Sequence, residues 1–240
     1  MLKQIGQIFL LVVLLTSCSV EKSINKDNSL TEGERADGWI LLFDGNDINS
    51  SWRGFKMETS PTNWIIDDGA IFLDPQAGGT SGDIITREKY GQFELTLEWK
   101  VAPGSNSGIF YHVVESDQYK FTYETAPEMQ VLDNDGHGDG KIFNHRAGNL
   151  YDLIAGTEGV VKPVGEWNLA EIVSYRGKLD FYLNGVNVVS TTYGDDAWRK
   201  MIANSKFKTM PDFGKIFKGH IALQDHGDNV WYKNIMVKKL

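Results

Sequence analysis

Hydrophobic and polar positions alternate with a period of two along much of this chain. The clearest run is Phe93 to Val101, where Phe93, Leu95, Leu97, Trp99 and Val101 interleave with Glu94, Thr96, Glu98 and Lys100. Successive side chains of an extended backbone point to opposite sides, so this pattern predicts a strand with one face in a core and one in solvent. Trp64 to Leu73 reads as strand, Asp68-Gly69 turn, strand, the Asp-Gly pair suiting a tight hairpin. Further strands are predicted over 107–114, 128–132, 171–175, 179–183, 186–189, 220–224 and 230–238, with turns at Arg176-Gly177 and Asn184-Gly185. One segment breaks the pattern. Asp195 or Asp196 can cap a short helix that sets Trp198, Met201 and Ile202 on one face. Many short strands between turns predict an all-β sandwich or barrel with one helix in a connection.

The N-terminus changes the picture of where this domain works. Lys3 precedes an apolar run, Ile8 to Leu15, too short for the roughly 20 residues that span a bilayer but of the composition of a secretory signal peptide. Leu15-Thr16-Ser17-Cys18 follows and resembles the bacterial lipobox, whose Cys is lipidated and becomes the new N-terminus. Cys18 is the one cysteine of the chain, so no disulfide is available and the core must hold the fold. The expected organisation is a signal peptide over 1–17, a solvated tether over 18–36 and a single domain over 37–240. The expected location is the cell envelope, lipid-anchored, periplasmic or on the outer-membrane face. The net charge is −8, a balance that repels phosphates and argues against nucleic acid as a partner. Seven Trp, nine Tyr and twelve Phe are plentiful for one core, so some are expected on a concave face, where rings stack on sugars.

Several stretches, taken in order, resemble the 3-keto-disaccharide hydrolase family. They are Trp39 to Gly45 with Trp52, Asn106 to Phe110, Glu128 to Asp133 followed by His137, and Ala147 to Asp152. Gly165 to Asn168, Tyr182 to Gly185, Ser205 to Phe207 and Gly219 to Gly227 complete the set. The resemblance covers roughly 37–240. It implies a concanavalin A-like jelly roll of two antiparallel sheets and action on glycosides oxidised at C3. It also implies a sugar 3-oxidoreductase as functional partner, since some oxidation must supply the ketone. The family often carries Arg where this chain has His112, which makes His112 a candidate substrate contact.

The residues themselves limit the chemistry. Conventional glycosidases use two carboxyl groups flanking the scissile bond. On the strand Glu128 to Leu132, alternation puts Glu128, Gln130 and Leu132 on one face and Asp133 on the other. The second carboxylate position is thus an amide, and Gln130 can neither attack nor accept a proton. A 3-keto sugar needs less. Its ketone acidifies the C2 proton, so one base suffices, with donors for the enolate oxygen and an acid near the leaving group. Glu128 is the expected base, and His226 the expected acid or enolate donor, with Asp225 a weak candidate to orient it. Gln130, Asn106, Tyr151, Gln224 and His112 are the candidates for gripping hydroxyls. The loop Asp133 to Gly140 offers Asp133, Asp135, His137 and Asp139 as a mixed O/N site for a divalent cation, although its spacing fails the EF-hand pattern and no cofactor is required. The chain has no G-x-S-x-G elbow, P-loop or dinucleotide fingerprint. The second function class left open is a non-catalytic carbohydrate-binding module on the same fold.

Overall fold

The alternating run of Phe93 to Val101 becomes a central strand of a two-sheet sandwich. The computed structural model describes residues 26–240, so the expected signal peptide and lipidated Cys18 lie outside the described residues. In chain order the elements are α1 (Glu32–Ala36), β1 (Trp39–Leu41), β2 (Trp52–Gly54), β3 (Trp64–Asp67), β4 (Ala70–Leu73), β5 (Ile84–Thr86) and β6 (Phe93–Val101). They continue with β7 (Asn106–Val113), β8 (Glu128–Leu132), β9 (Asn168–Tyr175), β10 (Lys178–Leu183), β11 (Val186–Thr192), α2 (Asp196–Ala203), β12 (His220–Leu223) and β13 (Val230–Lys239). The large sheet runs β11-β10-β9-β6-β13-β4-β3, with β1 and β4 sharing successive lengths of the same edge of β13. The small sheet runs β2-β5-β12-β7-β8, and the pairings in both sheets are antiparallel. This is the two-sheet sandwich that the strand pattern predicts, in the jelly-roll form that the family resemblance implies.

The core fills the space between the sheets. Leu95, Leu97 and Trp99 of β6 meet Ile109 and Tyr111 of β7, Met129 and Val131 of β8, and Ile221 and Leu223 of β12. Each such side chain contributes roughly 1.5–3 kcal/mol when taken out of water. A second, smaller cluster of Ile85, Phe110, Val113, Ala126 and Ala222 lies on the other face of the small sheet, packed by Phe55 and Tyr123. Loops therefore cover that outer face, and they wall the cleft described below.

The helix predicted near Asp195 is α2. Asp195 caps it by accepting the Trp198 N–H at 2.8 Å, and Trp198 is buried with its indole N–H on the Gly214 carbonyl at 2.8 Å. Strands β1, β2 and β5 were not legible, because three residues are too few to display alternation.

Two features depart from expectation. The stretch 26–36 is not simply a solvated tether. Thr31 and Glu34 form a capping box that starts α1, and Asn28 docks on the large sheet. The Asn28 N–H donates to Asn234 Oδ1 at 2.6 Å, and the Asn234 N–H donates to Asn28 Oδ1 at 2.9 Å. Asn234 sits with φ of 52° where the β13–β6 register slips, so the bulge frees its backbone for this exchange. Polar docking of this kind leaves no trace in hydropathy. The second departure, at His112, belongs to the site.

Candidate active-site cleft

Strand β8 lies beside β7, and β7 beside β12, so their outward side chains share one surface. Met129 and Val131 point into the core, which turns Glu128 and Gln130 outward as alternation requires. The alternation ends at Leu132, which joins the core instead of the Glu128 face. Asn106 opens β7, and Gln224 follows β12 with its N–H on the Gly108 carbonyl at 3.0 Å. These residues line a cleft of about 390 Å³, walled by Tyr123, Tyr151, Lys206, Phe207, Met210 and His226 from the loops. Glu128, His226, Gln130, Asn106, Tyr151 and Gln224 thus come together as the sequence predicts. A larger hollow of about 610 Å³ lies under the 157–164 loop, where Arg146 pairs with Glu158 and Asp133 is taken up by backbone N–H groups of its own loop and of Gly104. Glu128, Lys206 and Tyr151, all with shifted protonation, sit together in the smaller cleft.

Glu128 is the carboxyl group lining this cleft among the described residues. Burial pushes it up to about 8; Lys206 opposes that shift, and the carboxyls of Asp83 and Asp139 add to it. Its place depends on Gly108 of the adjacent strand. A Cβ there would fall 2.1 Å from Glu128 Oε1, so only glycine lets the carboxyl lie across β7. Burial lowers the Lys206 ammonium below its ordinary range, while Glu128, Asp152 and Asp139 pull it back. Its Nζ stands 3.9 Å from the centroid of the Tyr151 ring. Tyr151 donates its hydroxyl to Asp139 at 2.9 Å, and burial, then Asp139, keep that phenol protonated far above neutral pH. Behind it His145 donates to Asp152 at 2.9 Å, and Asp152 also accepts the Lys206 N–H at 2.8 Å. One acid-lined network therefore fixes both Tyr151 and Lys206.

The amides of Asn106, Gln130 and Gln224 each present a buried oxygen that meets no donor from the protein. A buried polar atom without a partner costs about 1–3 kcal/mol, so three in one cleft point to a ligand rich in hydroxyl donors.

His112 is not in the cleft. Residues 111 and 112 of β7 bulge against β12, where His220 pairs with Val113 but Ala222 with Phe110. His112 takes φ of 60° there, and the bulge turns its ring among Phe93, Tyr111 and Tyr193. Its Nε2–H donates to the Gly91 carbonyl at 3.1 Å, and burial lowers it to about 4. It is a neutral core histidine and not a substrate contact.

The acidic loop does not gather into the expected cation site. Asp133 accepts N–H groups of Gly104 at 2.7 Å, Gly136 at 3.0 Å and Asp135 at 3.1 Å, which builds the loop. Asp135 is exposed, and Asp139 holds Tyr151. His137 instead approaches His226, ring centroids 5.7 Å apart, and with Asp228 they bring three ligand-capable atoms within 4.8 Å of one another. Asp225 does not orient His226. It accepts from Asn63 at 2.7 Å and from the Gly82 N–H at 2.8 Å, while Asp228 lies 3.5 Å from His226 Nδ1. Beneath the cleft Asp83 accepts from Thr122 and from the Asp225 N–H at 2.8 Å, and burial pushes it up to about 6.

Sequence reasoning missed Lys206, Asp228, Tyr123 and Asp83 as parts of the site. Lys206 lies inside the Ser205 to Phe207 stretch that carries the family resemblance, which is the one signal for it in the sequence. The others lie on connections with no pattern of their own.

Comparison with known proteins agrees with this fold. A family model described as a 3-keto-alpha-glucoside-1,2-lyase-like domain matches residues 38–238. A protein of Bacteroides thetaiotaomicron named 3-keto-disaccharide hydrolase is 40% identical over 231 residues, covering 85% of this chain and 79% of that protein. A crystal structure from Parabacteroides distasonis, provisionally described as a glycosyl hydrolase, superposes with a TM-score of 0.81 at 33% identity, covering 90% of this chain and all of that one. A Bacillus subtilis protein with a galectin-like fold shares the fold alone, with a TM-score of 0.51 at 14% identity over 89% of this chain and 94% of that one.

Proposed function

The chain belongs to the 3-keto-alpha-glucoside-1,2-lyase-like family, a family of glycosidase-like enzymes, and from that membership we propose that it cleaves 3-keto-glycosides by removing the C2 proton. One observation carries the reading: a single carboxyl, Glu128, lines the cleft among the described residues, and it is poised near neutral pH. Two carboxyls would be needed for ordinary glycoside hydrolysis. One base is enough when a ketone at C3 acidifies C2.

In this mechanism Glu128 takes the C2 proton, and the electron pair moves onto the C3 oxygen as an enolate. Lys206 or His226 stabilises that oxygen by donating to it. The enolate collapses and expels the C1 substituent, which receives a proton from the other donor. Water addition to the resulting enone completes a net hydrolysis. The unpaired amides of Asn106, Gln130 and Gln224 receive sugar hydroxyls, and Tyr123, Tyr151 and Phe207 face the ring.

For a divalent cation we propose His137, His226 and Asp228 as ligands in place of the acidic loop. Two nitrogen donors and one carboxylate suit a transition-metal dication better than calcium, which takes oxygen ligands. His137 Nδ1 already accepts the Asp139 N–H at 3.1 Å, which leaves Nε2 as its free ligand atom. Thermal shift with manganese or zinc, before and after chelation, reads this binding, and a His137→Ala variant that responds like the parent rejects it. The enzyme is proposed to work at the cell envelope, anchored through Cys18, beside an oxidoreductase that supplies the ketone.

The test is a matched pair, a nitrophenyl glucoside and its 3-keto derivative, with enzyme-free and Glu128→Gln controls. Cleavage of the keto compound alone supports the elimination. Cleavage of both calls for a second carboxylate. Cleavage of neither, with sugar binding intact, moves the chain to the non-catalytic binding class.

A further inference from the structure

The outer face of the large sheet carries a row of side chains that the cleft does not use. Strand register sets Ile65 beside Phe72, Phe72 beside Trp231, and Trp231 beside Lys100. Phe72 and Trp231 stack with centroids 4.4 Å apart and planes 6° from parallel. Lys100 Nζ lies 4.6 Å from the Trp231 ring and 4.9 Å from Trp167, and Lys233 Nζ lies 4.6 Å from Trp167. Ile65 is exposed, and Phe72, Trp167 and Trp231 are only half-buried. Tryptophan rings interleaved with long amines match the chemistry of a membrane–water interface, where the ring lies at headgroup depth and the amine reaches out of it.

The chain's N-terminal side reaches this same face. Asp27 accepts from Lys233 at 2.7 Å, and Asn28 exchanges bonds with Asn234. Lys26 lies with Thr96 and Glu98, outward residues of β6. Cys18 precedes Lys26 by eight residues, a span of at most about 28 Å fully extended. A domain of this length is roughly 40 Å across. A lipid on Cys18 therefore holds the large sheet toward the bilayer, and the chain is too short to carry the anchor round to the cleft.

We infer that the outer face of the large sheet rests on the bilayer surface, so that the cleft, on the outer face of the small sheet, opens away from it. This rests on the proposed lipidation of Cys18. Asp27 and Glu98 offset the charge of Lys233, so the contact comes from the rings and not from net charge, and it suits a zwitterionic lipid surface.

The full chain, made in a host that processes lipoproteins, is reconstituted into phosphatidylcholine vesicles with acyl chains brominated near the headgroup. Bromine quenches tryptophan only at close range. Quenching of the parent that is at least halved in a Trp167→Phe/Trp231→Phe variant supports the orientation, with the variant's secondary structure and 3-keto-glycoside cleavage unchanged as controls. Absence of quenching, or quenching equal in both proteins, overturns it. Self-association of the parent that this variant abolishes also overturns it, by making the face a contact between copies. Mass spectrometry of the same preparation tests the anchor separately. An unacylated Cys18 overturns the anchoring reading alone, and the orientation is then read identically after coupling Cys18 to a maleimide lipid.

Discussion

Glu128 keeps its proton at neutral pH, and that fixes two pH dependences of opposite sign. Its carboxyl ionises near 4.5 when exposed and near 8 in the fold, with burial as the main cause. Between those values the native state holds a proton that the unfolded chain releases. The stabilisation from this group is full below pH 4.5 and is lost as pH rises through 8. Glu128→Gln removes the dependence, and denaturant unfolding at pH 9 is expected to find the variant more stable than the parent by up to about 5 kcal/mol. Under the proposed elimination activity runs the other way, because the base must be ionised. kcat/KM on a 3-keto-glycoside is expected to climb about tenfold per pH unit toward an inflection near 8, and Glu128→Gln to lower kcat by about 10²–10⁴-fold with binding retained. A variant within tenfold of the parent rejects the assignment. Gly108 tests the same carboxyl from its neighbour. Gly108→Ala places a methyl on Glu128 Oε1, with an expected cost of about 1–3 kcal/mol in unfolding and a loss of turnover as the base is displaced.

At the scale of elements, the cleft is a strand site completed by loops, and this division explains what the sequence reveals. The buried face of β6 follows from its alternation, and Glu128 with Gln130 follows from the two-residue period of β8. His112 defeats the same logic, because a bulge adds one residue to β7 and re-aims the side chain, and no residue near it announces a bulge. Residues 26–36 carry no hydropathy signal of their docking, because they dock through side-chain amides and not through apolar surface. Lys206 was missed because its place is set by tertiary packing of the segment after α2. That segment leaves α2 and turns at Ser205, whose Oγ accepts the Phe207 N–H at 3.1 Å, which delivers Lys206 to the cleft. Helix and site are therefore coupled. Asp195→Ala removes the cap of α2 and is expected to cost ~1 kcal/mol in thermal or urea unfolding. It should also lower kcat by a few-fold while KM stays near that of the parent. Lys206→Met should lower kcat much further without loosening the fold, which separates the side chain's chemistry from the helix that places it.

The cleft and the docked N-terminal segment lie on opposite faces of the molecule. The small sheet carries the cleft outward, the core occupies the space between sheets, and the large sheet receives the N-terminal segment. Removing residues 26–36 tests whether the faces are independent. The deletion takes three hydrogen bonds from Asn28, to Asn234 and to the Gly69 carbonyl, and leaves Asn234 with its backbone N–H unpaired at a bulge. At about 1 kcal/mol for each bond, a loss of ~2–3 kcal/mol in unfolding free energy is expected. No group lining the cleft touches this segment, so kcat/KM on a soluble 3-keto-glycoside should stay within about twofold of the parent below the unfolding transition. A fall in kcat/KM while the shortened protein remains folded would show that the bulge at Asn234 communicates across the core to Glu128. The obvious route is Tyr232, which shares β13 with Asn234 and bonds Ser107 beside Gly108 at 2.8 Å. A Tyr232→Phe variant separates the cases. With independent faces it leaves the effect of the deletion on kcat/KM unchanged, whereas a coupled sandwich loses that effect with the hydroxyl.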